Sequence, residues 1–175
     1  YYPSLMLVYK WLSRNVADPG KYAEIYHTRL KLKAEKNPMQ QPYKIVLNST
    51  YGAMKDRHNA MYDPRQANNV CVGGQLLLLD LIERLEDHCD IIQSNTDGIL
   101  VKLRHDDDFE LIDDICWEWE KRTGMRLEFD EFQRVFQKDV NNYLIVPAGP
   151  LLDEKGKPRW KCKGAYVKKL SDLCL

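Results

Sequence analysis

The stretch Lys44-Ile-Val-Leu-Asn48-Ser-Thr-Tyr51-Gly52 decides how this chain is read. It follows Pro42, a residue suited to a first helical turn, and the pattern predicts a helix from about Pro42 to Ala53. On that helix positions 44, 48 and 51 project from one face, so an ammonium, an amide and a phenol meet at one surface. Gly52 beside them leaves room for a flat group to approach the backbone. A triphosphate needs a cation and a base pair needs a smooth apolar platform, and this face offers both. Without context the same pattern describes an amphipathic helix with a solvated lysine.

Immediately upstream, Asp18-Pro19-Gly20 and Asn37-Pro38 bracket a second helical stretch, Lys21 to about Lys36. A short polar loop joins it to the first, so the two are expected to form an antiparallel pair. Arg29, Lys33 and Lys36 share one face of it by i, i+4 and i+7 spacing and would face Lys44. Further out, Leu5, Val8, Leu12 and Val16 recur at helical spacing after Pro3-Ser4, predicting a helix from Ser4 to Val16.

Downstream, Gln66 to Asp87 reads as a core helix with Val70, Leu77, Leu78, Leu81 and Leu85 on one side and Gly73-Gly74 allowing close packing. Ile91 to Leu103 switches to short apolar runs around Asn95-Thr96-Asp97-Gly98, the pattern of a tight hairpin. Asp106-Asp107-Asp108 suits the N-terminus of a helix over residues 109–122. Strand-like segments follow near 126–136, 142–147 and 159–167. The sum is an α+β domain: a small antiparallel sheet backed by helices, with a helical hairpin inserted near its start.

The 175 residues fit one ordinary domain, and 44% hydrophobic content suffices for a core. Lys plus Arg and Asp plus Glu both total 26, so attraction to an anionic partner has to be local. Counted along the chain, the two ends are basic and residues 66–131 are acidic. Five cysteines, at 71, 89, 116, 162 and 174, form no C-x-x-C pair, which argues against a disulfide framework or zinc site and for a reducing cytoplasm. The histidines lie at no ligand spacing, and Ser49 and Ser94 have no histidine partner that spacing would justify. Apolar runs such as Leu76 to Leu79 stop far short of the roughly 20 residues of a membrane span, so no membrane partner is expected.

The string Lys44 to Gly52 resembles motif B of family B DNA polymerases, K-x-x-x-N-S-x-Y-G, at every specified position. Tyr1-Tyr2-Pro3-Ser4 resembles the tail of their motif A, D-x-x-S-L-Y-P-S. Gln93-Ser94-Asn95-Thr96-Asp97-Gly98 resembles motif C, Y-G-D-T-D-S, in Thr96 and Asp97. The three stand in family order across most of positions 1–98, and the short gap before motif B is similar to that of protein-primed phage enzymes. A phage- or prophage-encoded protein in the cytoplasm of a bacterial host is the setting this implies.

The resemblance implies a fold and roles. The fold would be a polymerase palm of ferredoxin-like kind, residues 1–17 and 59–175, with residues 18–58 as a helical fingers insertion. Tyr2 would be the steric gate that leaves no room for a 2′-hydroxyl, and the Tyr1 backbone N–H would meet the triphosphate. Lys44 would contact phosphate, Asn48 would orient Tyr2 and the phosphates, and Tyr51 with Gly52 would lie against the nascent base pair. Arg29 and Lys33 would clamp the outer phosphates. Asp97 would be the catalytic carboxylate that helps hold two Mg2+ ions.

Tyr143, Lys161, Lys163 and Gly164 would grip primer-template DNA. The family has Asp where this chain has Asn95, and K-x-Y where it has Asn141-Asn142-Tyr143. The implied reaction is template-directed transfer from a deoxynucleoside triphosphate to a primer 3′-hydroxyl, in company with exonuclease and thumb domains. With the motif A aspartate absent, the isolated chain is expected to be inactive. A catalytically degenerate palm-like module that binds nucleotides or a protein partner is the alternative.

Overall fold

The computed structural model describes residues 1–105, 107–153 and 156–167. Asp106 of the acidic run, Cys174 and the last part of the basic C-terminal segment lie outside the described residues. The chain is α+β, with five α-helices and two small antiparallel sheets among the described residues. It divides into two compact units, one formed by Tyr1–Ile92 with Thr96–Arg126 and the other by Gln93–Asn95 with Leu127–Leu175.

The first unit holds α1 (Tyr2–Val8), α2 (Pro19–Ala34), α3 (Gln40–Lys55), α4 (Pro64–Leu85) and α5 (Asp108–Thr123). It also holds most of the hairpin of β1 (Cys89–Ser94) and β2 (Ile99–Leu103). Its helices start where the sequence supplies caps. The Asp18 carboxylate accepts from Lys21 N at 3.1 Å to open α2, and the Asp63 carboxylate accepts from Gln66 N at 3.3 Å to open α4. Gly124 closes α5 at φ +69, a left-handed conformation that glycine adopts without strain. Leu5, Met6, Leu47, Met54, Val70, Cys89 and Trp119 are fully buried and tie the helices into one core.

The helix expected over residues 4–16 spans only Tyr2–Val8. Lys10 takes φ +56, which no right-handed helix accommodates, and the following loop finds its hydrogen bonds on α4 and the two residues just before it. The Gln66 amide donates to the carbonyls of Lys10 and Leu12, and Asn15 Nδ2 donates to the Tyr62 carbonyl at 2.7 Å. Arg14 grips the buried Asp63 carboxylate through its backbone N–H at 3.0 Å and through two guanidinium nitrogens at 2.9 Å each. Leu12 is still buried, so its helical spacing reported burial rather than helix.

Helices α2 and α3 fold back on each other across a short loop, with the Tyr22 hydroxyl donating to the Leu47 carbonyl at 3.2 Å. Gly73 and Gly74 on α4 do admit close neighbours. A Cβ on Gly73 would collide with the Trp11 ring, and one on Gly74 would meet Leu5 and Tyr1 at 2.9 and 3.1 Å.

The second unit is an antiparallel sheet in the order β3 (Phe132–Asp139), β4 (Asn142–Pro147), β5 (Lys161–Lys163). Its register pairs Phe136 with Leu144, Tyr143 with Lys163 and Ile145 with Lys161. The first strand begins later than the 126–136 expectation. The last is short because Gly164, at φ +63, turns the chain into a 3-10 turn over Gly164–Tyr166.

Candidate functional site

Tyr1, Tyr2, Tyr51 and Asp97, drawn from the three segments that carry the polymerase-like motifs, all belong to the first unit. Tyr1 and Tyr2 stand at the start of α1, Tyr51 is on α3, and Asp97 lies in the turn between β1 and β2. The Tyr2 and Tyr51 rings lie 4.5 Å apart between centroids, inclined by 48°. The Tyr1 ring is 6.3 Å from that of Tyr2, and its hydroxyl donates to the Gly74 carbonyl of α4 at 2.7 Å. The result is a cluster of phenols with a carboxylate near enough to act on those of Tyr1 and Tyr2.

The electrostatics of the cluster keep its phenols neutral. Burial pushes the Tyr1 phenol up to about 12, with smaller contributions from Tyr9, Tyr2 and Asp97. Tyr51 is likewise pushed up to about 12, first by burial and then by the neighbouring Cys71 thiol. Tyr2 is raised for the same reasons, with the Asp97 charge adding to them. Each ring therefore presents an uncharged edge at neutral pH. Lys55 adds a cation 5.3 Å from the centre of the Tyr51 ring.

The rest of the α3 string divides by exposure. Lys44 and Asn48 are exposed on the helix, as is Gly52. A Cβ at Gly52 would meet no heavy atom within 4 Å, and Gly52 opens onto a shallow groove of about 480 Å³ lined by Ile45, Val46, Ser49 and Met61. Ser49 and Thr50 satisfy their hydroxyls within the helix by donating to the carbonyls of Ile45 and Val46 at 2.8 and 3.1 Å. On α2, Lys33 is exposed and Arg29 is half-buried, with a buried Nε that has no hydrogen-bond partner. Lys36 leaves the shared face: α2 ends at Ala34, and Lys36 turns away at φ +53.

The expected DNA-contacting residues gather separately in the second unit. Lys163 Nζ lies 5.5 Å from the centre of the Tyr143 ring, across a β4–β5 pair. Lys161, two residues back along the strand, has Asp130 at 4.0 Å. Asn142, the first residue of β4, accepts from Ala165 N at 2.7 Å and donates to the Asp139 carboxylate at 2.9 Å. That hydrogen bond, together with one from Asn141 N, holds the Asp139 carboxyl below its usual value.

Sequence reasoning missed Cys71. Its thiol helps to raise the phenols of both Tyr2 and Tyr51. Nothing in the spacing of α4 marks the position, because the contact depends on three helices converging.

A 33-residue stretch of the chain is 52% identical to the DNA polymerase of Acidianus bottle-shaped virus (isolate Italy/Pozzuoli). The stretch is 19% of this chain and only 5% of the viral protein. No protein-family profile matches the chain. The chain thus has a short local similarity to a DNA polymerase. No helix among the described residues is long and apolar enough to cross a membrane.

Proposed function

We propose that this chain is the nucleotide-recognising core of a DNA polymerase resembling family B, a palm with residues 18–58 as its fingers. The observation that carries the reading is the meeting of Tyr2, Tyr51 and Asp97 from three distant segments. A sugar and base would rest on the tilted Tyr2–Tyr51 pair, with the Tyr2 ring filling the space a 2′-hydroxyl needs. Lys44, Arg29 and Lys33 would meet the triphosphate, Arg29 offering a buried Nε that still lacks an acceptor. Asn48 would hold the phosphates against Tyr2. Tyr143, Lys161, Lys163 and Gly164 would track the backbone of primer-template DNA.

Magnesium is a separate matter. The ion takes oxygen ligands and gives up its water reluctantly, so it calls for more than one carboxylate. Among the described residues no group of three or more His, Cys, Asp or Glu side chains is placed to hold a metal. Asp97 by itself does not fit the two ions that nucleotidyl transfer uses. What these residues support is selective binding of the substrate.

Equilibrium titration with a deoxynucleoside triphosphate and its ribonucleotide counterpart tests this. The wild-type chain is expected to prefer the deoxy form, and Tyr2→Ala is expected to erase most of that preference, roughly tenfold, by opening the space beside the sugar. An equal preference in the two proteins would remove Tyr2 from the gate.

A further inference from the structure

Helix α4 is apolar on two sides. Ala67, Val70, Gly74, Leu81 and Leu85 are buried in the core of the first unit. On the opposite side Val72, Leu76 and Leu79 are exposed at 51%, 60% and 48%. Spaced i, i+4 and i+7, they form one continuous stripe along the helix. A contiguous apolar stripe held in water favours any partner that removes it from water.

The ends of the stripe are charged, with opposite signs. Arg65 lies seven residues before Val72 and Glu86 seven after Leu79, so the four fall on one line down the helix. Glu83, seven after Leu76, adds a second carboxylate at the same end, and all three charged side chains are exposed. Arg65 stands in the first turn of α4 and Glu83 in the last, the reverse of what the helix dipole favours. Arg84, the basic residue of the last turn, is directed elsewhere, to Asp80 at 3.4 Å and Glu118 at 3.9 Å. A surface with a cation at one end, carboxylates at the other and apolar side chains between them complements itself when turned end to end. An antiparallel second α4 sets Val72 against Leu79 of the second copy and Arg65 against Glu86 of the second copy, with the two-fold axis beside Leu76. A parallel pair would set Arg65 on Arg65 and Glu83 on Glu83, so the charges also choose the direction.

We propose that the Val72–Leu76–Leu79 face of α4 is a self-association surface, on which a second copy of this chain docks as an antiparallel, two-fold symmetric pair of helices. Burial of the stripe drives the association, and the Arg65–Glu86 pairs at both ends fix its direction and register. The surface stands whether or not the chain binds nucleotides.

Sedimentation equilibrium of the chain across a wide range of concentrations, at low and at raised salt, tests this. The wild type is expected to pass from monomer to dimer as concentration rises, and to dissociate more readily as salt screens the end pairs. Leu76→Asp, a change at an exposed position, is expected to weaken the dimer at least about tenfold by bringing two carboxylates together at the axis. Arg65→Glu and Glu86→Arg are each expected to weaken it roughly three- to tenfold, because each sets like charges against each other at both ends. Mixed in equal amounts, these two variants have opposite charges across both ends and are expected to form a mixed dimer tighter than either variant forms alone. If Leu76→Asp does not fold, the mixing experiment decides by itself. A wild-type chain still monomeric at about 1 mM, a dimer that a folded Leu76→Asp leaves unchanged, or a mixture no tighter than its components overturns the proposal.

Discussion

Tyr2 and Tyr51 lean on each other with ring centroids 4.5 Å apart, one from the second residue of the chain and the other from the end of the Lys44 to Gly52 string. Each ring is part of the other's wall. Tyr51→Ala should therefore do more than remove a surface under the base. Nucleotide affinity is expected to fall by about 1 to 3 kcal/mol, the scale of one lost aromatic–base contact. The preference for the deoxy sugar is expected to fall too, because Tyr2 loses its support. Calorimetric titration with both sugar forms separates the two effects.

Lys44 is exposed on the same helix and free to reach solvent-borne phosphate. Lys44→Ala should weaken triphosphate binding by about 1 to 3 kcal/mol, the range of a lost charge-assisted hydrogen bond. Binding of the corresponding nucleoside, which has no phosphate, should be unaffected. A competition assay with nucleoside and triphosphate side by side reads the difference.

The Arg14–Asp63 clamp gives the fold an acid-sensitive point. Hydrogen bonds from the Arg14 side chain hold the Asp63 carboxyl well below the usual carboxylate range, against an opposing push from burial. The folded value is depressed relative to the unfolded one near 3.9. Its stabilisation is thus fully present above about pH 4 and is lost as pH falls through the folded value. Asp63→Ala removes the clamp and the α4 cap together and should cost about 2 kcal/mol at neutral pH. The variant should also show a shallower loss of stability below about pH 4 than wild type, measured by urea unfolding across pH.

Gly164 combines φ +63 with a tight surrounding: a Cβ there would collide with Asn142 Oδ1 and the Asn141 carbonyl. Gly164→Ala should cost about 1 to 2 kcal/mol from the backbone alone. It should also displace Asn142 from its bond to Ala165 N. The expected readout is faster amide exchange at Ala165 and in β5, with α1 to α5 unaffected.

Much of the fold was legible because its signals are local. Asp18-Pro19 and Asp63-Pro64 mark helix starts by the side chain that caps and the ring that presets φ, and α2, α3, α4 and α5 stand within a few residues of their expected bounds. The end of α1 was not legible. Leu12 sits at helical spacing from Leu5 and Val8, but its carbonyl is met by Gln66, 54 residues away, and the nearby Arg14 by Asp63, 49 residues away. Strand ends behaved similarly, since β5 stops where Gly164 must turn around Asn142. In the site, the tyrosines and Asp97 carried sequence signals through the motifs they resemble.

The central claim is that a deoxynucleoside triphosphate rests on the Tyr2–Tyr51 pair with its phosphates toward Lys44. Titrating the isotope-labelled chain with a deoxynucleoside triphosphate and following it by NMR tests this residue by residue. The account predicts saturable shifts at the Tyr2 and Tyr51 rings and at the Lys44 and Asn48 amides, with Tyr143 and Lys163 unmoved until DNA is added. Shifts confined to other residues, or none at Tyr2 and Tyr51 when others saturate, would contradict it.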